Sequence, residues 1–284
     1  METKEVPILA FCMNEEKKFY YSIETSPNQS TIYQFEVEGK GKTKIGEYGN
    51  PIRHLFQKEN YLISYSWDKT LSKWDLRVSN KMPAQTIKLD SEVSSLTQKN
   101  SILVGSYLDT PITDYSMLEL GMDNFKQTKM KLKLQGYTTS PIHSFTINQD
   151  TSNHKCAFGT ADGLLGFFNY RKTSEISIRS LIKLHKVQII EGKDLTFPIN
   201  AVEFHPTRDD ILFSGGGDGN ICFFDTEAQS IHKKIEGKMP VLGLKATISE
   251  DFLIIIRGND WANRAKEYEN GHVSVYRFDE NDFP

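Results

Sequence analysis

The stretch Tyr61-Leu62-Ile63-Ser64-Tyr65-Ser66-Trp67-Asp68-Lys69-Thr70-Leu71-Ser72-Lys73-Trp74-Asp75 decides how the chain folds. Two apolar runs flank a polar turn too short to hold anything but a hairpin. The same arrangement returns three times. Residues 102–108 lead through Asp109 into 112–115, residues 156–160 lead through Asp162-Gly163 into 164–168, and residues 211–217 lead through Asp218-Gly219 into 220–225. Asp-Gly between apolar runs is a strong hairpin signal, because glycine accepts the positive φ of the favoured turns.

A second series runs in phase with the first. A proline followed by a β-branched residue opens five segments: Val6-Pro7-Ile8-Leu9, Asn50-Pro51-Ile52-Arg53, Ser140-Pro141-Ile142-His143, Phe197-Pro198-Ile199-Asn200 and Met239-Pro240-Val241-Leu242. Ser91-Glu92-Val93-Ser94-Ser95-Leu96 fills the wide gap, with Glu92 in the proline position. Successive units are separated by 44, 41, 49, 57 and 42 residues. Proline suits the first residue of a strand, where no ladder bond is asked of its missing N–H.

Several strands are apolar on consecutive residues, as at 221–224 and 253–256. Such runs imply that both faces of the sheet are covered. No amphipathic helix of useful length lies between the strands, so other sheets must provide the cover. Four-stranded sheets stacked radially solve that packing problem at a period of ~40–45 residues. A sandwich or barrel could use the same hairpins, but neither needs the in-phase period. The expectation is all-β: a WD40 β-propeller of six recognisable blades, formed by residues 1–284 as a single domain, with a seventh blade not excluded.

The residues resemble WD40 repeats. Residues 64–77 carry a near-complete signature, and 214–225 a second with Phe224 in the tryptophan position. The order of the units is similar to the subfamily containing the nuclear-pore mRNA export factor and the spindle-checkpoint propeller that carries mitotic kinases. The matching stretches are residues 66–71, 181–186, 197–206, 215–219 and Asn259-Asp260-Trp261. The resemblance implies a non-enzymatic propeller in the nucleus, at the nuclear pore or also in the cytoplasm. Its partner would be a short acidic segment of a nucleoporin or checkpoint kinase, with RNA contacted indirectly if at all; a generic WD40 assembly scaffold is the more remote alternative. Leu164 stands where the subfamily carries an arginine that helps hold the acidic segment.

Composition agrees with a folded interaction module. The 284 residues are 38% hydrophobic and 25% charged, with 34 basic and 37 acidic side chains for a net charge of −3. That balance argues against a globally basic nucleic-acid binder, although a local basic patch survives the average. No apolar run approaches the ~18–20 residues of a membrane span. Cys12, Cys156 and Cys222 are far apart and read as reduced, mostly buried thiols. No His-Glu-x-x-His or Cys/His cluster is present, so neither a metal nor another cofactor is expected. Gly215 to Gly219 is glycine-rich but joins two strands and lacks the Lys-Ser/Thr of a phosphate loop. No catalytic residue is expected.

The candidate partner-binding residues are Trp67, Lys186 and Trp261. Trp67 precedes the turn aspartate, at a position that in WD40 propellers faces the top surface. Exposed tryptophans commonly anchor partners. Lys186 follows His185 and, by the resemblance, stands for an arginine that meets a partner glutamate. Trp261 lies in a long insert with Arg264 and Lys266. Asp68, Asp162 and Asp218 are structural, each fixing its hairpin by accepting backbone N–H or histidine bonds. Trp74 is expected to be buried. Lys129, Lys131 and Lys133 alternate with apolar residues and read as the charged face of an outer strand.

Overall fold

A computed structural model describes residues 8–13, 18–36, 41–78, 81–108, 115–133, 140–148, 154–170, 175–178, 180–190, 193–247, 252–259 and 271–283. The chain divides into two compact units. The first comprises residues 1–92 with 100–102 and 120–126; the second comprises 93–99, 103–119 and 127–284.

The first unit holds two four-stranded antiparallel sheets. Sheet one is β1 (Ile8–Met13), β2 (Lys18–Ser26), β3 (Gln29–Glu36) and β4 (Lys42–Tyr48) in sequence order. Sheet two is β5 (Ile52–Lys58), β6 (Tyr61–Ser66), β7 (Thr70–Asp75) and β8 (Gln85–Lys88). Between them Tyr20, Ile32, Ile52, Leu62 and Trp74 form one apolar core. Each large side chain buried there stabilises the fold by about 1.5–3 kcal/mol relative to exposure.

The second unit carries four more sheets. Sheet three runs β9 (Glu92–Lys99), β10 (Ile102–Leu108), β11 (Tyr115–Gly121) and β12 (Gln127–Lys133). Sheet four is β13 (Ile142–Ile147), β14 (Lys155–Thr160), β15 (Leu164–Asn169) and, across a short insertion, β17 (Ser180–Lys183). The insertion supplies β16 (Glu175–Ser177), which pairs parallel with β12. The alternation expected for the lysines holds where it is described, with Lys129 and Lys131 exposed and Met130 and Leu132 buried. Yet β12 is not an outer strand, because β16 covers its edge. The Lys133 side chain lies outside the described residues.

A two-stranded hairpin, β18 (Lys186–Ile190) and β19 (Lys193–Thr196), precedes sheet five. Sheet five is β20 (Ile199–Phe204), β21 (Ile211–Gly216), β22 (Ile221–Asp225) and β23 (Ser230–Ile235). Sheet six has three strands: β24 (Val241–Thr247), β25 (Phe252–Arg257) and β26 (His272–Arg277). The apolar run in β22 is covered on both faces, as expected. Leu212, Cys222 and Phe224 pack toward sheet four with Phe167 and Ile199, while Ile211, Phe213, Ile221 and Phe223 pack toward Val241, Leu253 and Ile255 of sheet six.

The run 253–256 behaves differently. Leu253 and Ile255 are buried, but Ile254 and Ile256 are only half-buried. Consecutive apolar residues thus do not mean two equally covered faces here.

The six sheets are the blades of a β-propeller, each an antiparallel meander at the spacing of the sequence repeat. No helix among the described residues is long and apolar enough to cross a membrane.

Candidate functional site

The proline-led motif does one job in every sheet where it is described. The carbonyl of Pro51 accepts the N–H of Trp67 at 3.1 Å, that of Pro141 the N–H of Ala161, that of Pro198 the N–H of Gly217 and that of Pro240 the N–H of Gly258. Each pair ties the start of a blade's first strand to the end of its second. One residue beyond each proline the register slips, between Ile52 and His54, Ile142 and Ser144, Ile199 and Ala201, and Val241 and Gly243. A bulge of this kind re-aims the extra residue's side chain. The residues left out of register are Arg53, His143, Asn200 and Leu242.

Four positions before the turn are therefore equivalent: Trp67, Ala161, Gly217 and Gly258. Three blades fill the position with a small residue, and only sheet two places a large aromatic there. Nothing in the backbone design gives that ring an internal pocket, and Trp67 is 54% exposed. The bulge residue of the same blade covers it: the Arg53 guanidinium carbon lies 4.8 Å from the ring centroid. Arg53 Nη1 also donates to Glu92 Oε1 at 3.5 Å. An exposed aromatic and a neighbouring arginine form a surface suited to a segment that is partly apolar and partly acidic. The neighbouring His54 is half-buried against Phe56 and Tyr65. Burial, then the Arg53 charge, lowers its imidazole pKa to about 3, so the ring is neutral and structural.

The turn aspartates hold this end of the blades together. Asp68 accepts from Thr70 N–H at 3.1 Å, the Tyr48 hydroxyl at 3.0 Å and Asn50 Nδ2 at 3.0 Å. Trp74 is buried as expected, and its Nε1–H donates to Ser64 Oγ at 2.9 Å. Sheet five solves the same problem with a histidine. His185, fully buried, places Nδ1 2.8 Å from Asp218 Oδ1 and Nε2 3.1 Å from Ser214 Oγ. Phe224 has no N–H to give, so the histidine serves the serine that Trp74 serves in sheet two. Asp218 also accepts from Asn220 N–H at 3.0 Å and Asn220 Nδ2 at 2.7 Å. Burial opposes its ionisation, but the bonds from His185 and Asn220 outweigh that and hold the carboxyl below the usual carboxylate range.

In sheet four the Thr160 hydroxyl, which donates to Asp162, accepts the N–H of Leu164 at 3.0 Å. Leu164 is half-buried at the start of β15.

The other predicted contact residues are placed less fully. Lys186 opens β18 opposite Thr196 in the second unit, with its side chain outside the described residues. Trp261 lies outside the described residues altogether. Arg53 was missed from sequence. Its signal was present, since among the five blade-opening Pro–β-branched segments it alone is followed by a lysine or arginine. Among the described residues no group of three His, Cys, Asp or Glu side chains is placed to hold a metal ion.

No family model matches the chain. It is 22% identical over 254 residues to spindle assembly checkpoint protein bub3 of Schizosaccharomyces pombe, covering 88% of this chain and 74% of that protein. It is 23% identical over 244 residues to protein Rae1 of Drosophila melanogaster, covering 83% and 66%. WD40 repeat protein poxJ of Penicillium oxalicum is 25% identical over 200 residues, covering 68% and 54%. The chain thus spans between half and three quarters of the length of these relatives. A chain in the crystal structure of the mitotic checkpoint complex superposes with a TM-score of 0.69 at 12% identity, covering 97% of this chain and 81% of that one. That superposition establishes the fold. The repeat, the six blade sheets and these relatives show a six-bladed β-propeller that is similar to the WD40-repeat proteins bub3 and Rae1.

Proposed function

We propose that residues 1–284 form one interaction propeller that binds a short acidic segment of another protein at Trp67 and Arg53. The observation that carries this reading is positional: sheet two puts an exposed tryptophan, flanked by an arginine, where three other blades carry alanine or glycine. An aromatic anchor beside a cation is the usual make-up of a binding hot spot. Lys186 and Trp261 remain candidate partner contacts by the subfamily resemblance alone.

The partner is a nucleoporin segment in the export reading, which follows the subfamily resemblance and the similarity to Rae1. A second reading, a checkpoint role with a kinetochore kinase, is favoured by the similarity to a protein named for the spindle assembly checkpoint. Both place the protein in the nucleus. Affinity purification from the native cell separates them, with the Trp67→Ala chain as the control bait. A nucleoporin retained by the natural chain and lost by the variant supports export, and a kinase with that behaviour supports the checkpoint role. Partners retained equally by both baits would remove Trp67 from the interface.

A further inference from the structure

An open cleft of about 750 Å³ lies in the first unit, beside the turn that carries Trp67. Glu47, Tyr48 and Gly49, at the end of β4, line it together with residues 82–88, which lead into and form β8. Thr70, three residues past Trp67, joins them. The Asp68 turn holds these walls in place. The Tyr48 hydroxyl donates to Asp68 Oδ2 at 3.0 Å, and Thr70 N–H donates to Asp68 Oδ1 at 3.1 Å. Thr70 pairs with Lys88, and Leu71 with Ile87, along β7 and β8. The Lys69 carbonyl accepts the Leu89 N–H at 2.9 Å and the Lys73 carbonyl accepts the Ala84 N–H at 2.7 Å, which pins both ends of β8.

The lining is apolar and the charge around it is one-sided. Tyr48, Met82, Pro83 and Ile87 supply the apolar surface, and Met82 is 67% exposed. A methionine there is a soft, adaptable contact for an aromatic ring. Lys88 belongs to the lining, Lys69 directly precedes Thr70, and Lys81 directly precedes Met82. None of the three lysines has an acidic partner among the described residues. The carboxylate on the lining, Glu47, is paired with Lys44. Asp68 is occupied by Tyr48, Asn50 and Thr70. Cations without counter-charges around a concave apolar surface are complementary to a large apolar side chain with acidic neighbours.

We infer that this cleft is a second anchoring subsite for the acidic partner segment. It takes a phenylalanine or similar large apolar side chain, and the acidic residues on either side of that anchor lie against Lys81 and Lys88. The inference rests on the reading of the Trp67 surface as the docking site of such a segment, and adds a specificity pocket to it. The Tyr48–Asp68 bond makes the cleft and the Trp67 turn neighbours on one surface, so a single extended segment reaches both.

The probe is the peptide acetyl-EEFEE-amide, titrated into the full chain carrying isotope-labelled methionine methyls and tryptophan indoles and followed by NMR. The Met82 methyl signal, identified by its loss in Met82→Leu, should shift saturably with a dissociation constant of about 1–5 mM. Lys81→Glu with Lys88→Glu should weaken binding about fivefold or more, and so should replacing the probe by acetyl-EEAEE-amide. Both lysines are exposed, so the double variant should melt like the natural chain. A Met82 signal that stays still up to about 10 mM peptide, responds as strongly to the alanine peptide, or ignores the two glutamates overturns the inference. A Met82 shift that persists in Trp67→Ala upholds the cleft whether or not the Trp67 surface binds. A Met82 shift lost in Trp67→Ala, or a shift of the Trp67 indole with none at Met82, leaves the Trp67 reading standing and overturns this one.

Discussion

Replacing Asp218 by alanine should cost the fold about 3 kcal/mol. The carboxylate accepts three bonds, at 2.8 Å from His185, 3.0 Å from Asn220 N–H and 2.7 Å from Asn220 Nδ2. A hydrogen bond to a charged group contributes about 1.5–3 kcal/mol net, and the orphaned Nδ1 of fully buried His185 adds a penalty of about 1–3 kcal/mol. Relaxation recovers part of that sum. Urea denaturation of the natural chain, Asp218→Ala, His185→Ala and the double variant closes a double-mutant cycle. The network predicts a coupling energy of at least about 1 kcal/mol between the two sites. It also predicts a pH signature. The Asp218 carboxyl is held below its usual range, so its contribution is fully present above the unfolded aspartate value of about 3.9 and fades as pH falls through the lower folded value. The gap between the natural chain and Asp218→Ala should therefore narrow below about pH 4. Effects that add within about 0.5 kcal/mol would refute the reasoning, because they would mean the pair stands apart in solution.

The equivalent turns of sheets two, four and five share a positive φ, +70° at Lys69, +81° at Gly163 and +83° at Gly219. Lys69→Gly should relieve left-handed strain and stabilise by about 0.5–1 kcal/mol, measured by urea denaturation. Gly219→Ala should do the reverse and cost upwards of about 2 kcal/mol, since its Cβ would also sit 2.4 Å from the Gly237 carbonyl oxygen. Burial raises the thiol pKa of Cys12 to about 12 and, as the leading effect, that of Cys222 to about 11. Cys156 is raised as well. All three thiols should resist iodoacetamide at pH 8 in the native chain and react within minutes once it is unfolded; rapid native labelling would contradict their placement.

The blade plan was legible because it rests on short-range chemistry. Proline, β-branched residue and polar turn recur in phase, and the Pro51, Pro141, Pro198 and Pro240 segments each open a blade's first strand. The buried role of Trp74 and the anchoring role of Asp68 and Asp218 follow from the same turns. What escaped depends on distant neighbours. Arg53 matters because a bulge turns it over Trp67, and a bulge leaves no mark in composition. The parallel pairing of β16 with β12 joins residues more than forty apart, so the lysine strand looked like an edge. Residues 253–256 looked doubly buried because a run of apolar residues does not fix how deeply each face is covered.

The binding surface is tested most directly by isothermal titration calorimetry with the acidic segment recovered by the natural bait. Trp67→Ala should weaken binding about 30-fold or more, corresponding to about 2 kcal/mol. Arg53→Ala should weaken it by a smaller amount and lower its salt sensitivity. Thermal melting should stay within about 1 °C of the natural chain, because the Trp67 ring packs mainly against Arg53 rather than the core. Unchanged affinity in the Trp67→Ala chain, with melting equally unchanged, would contradict the account.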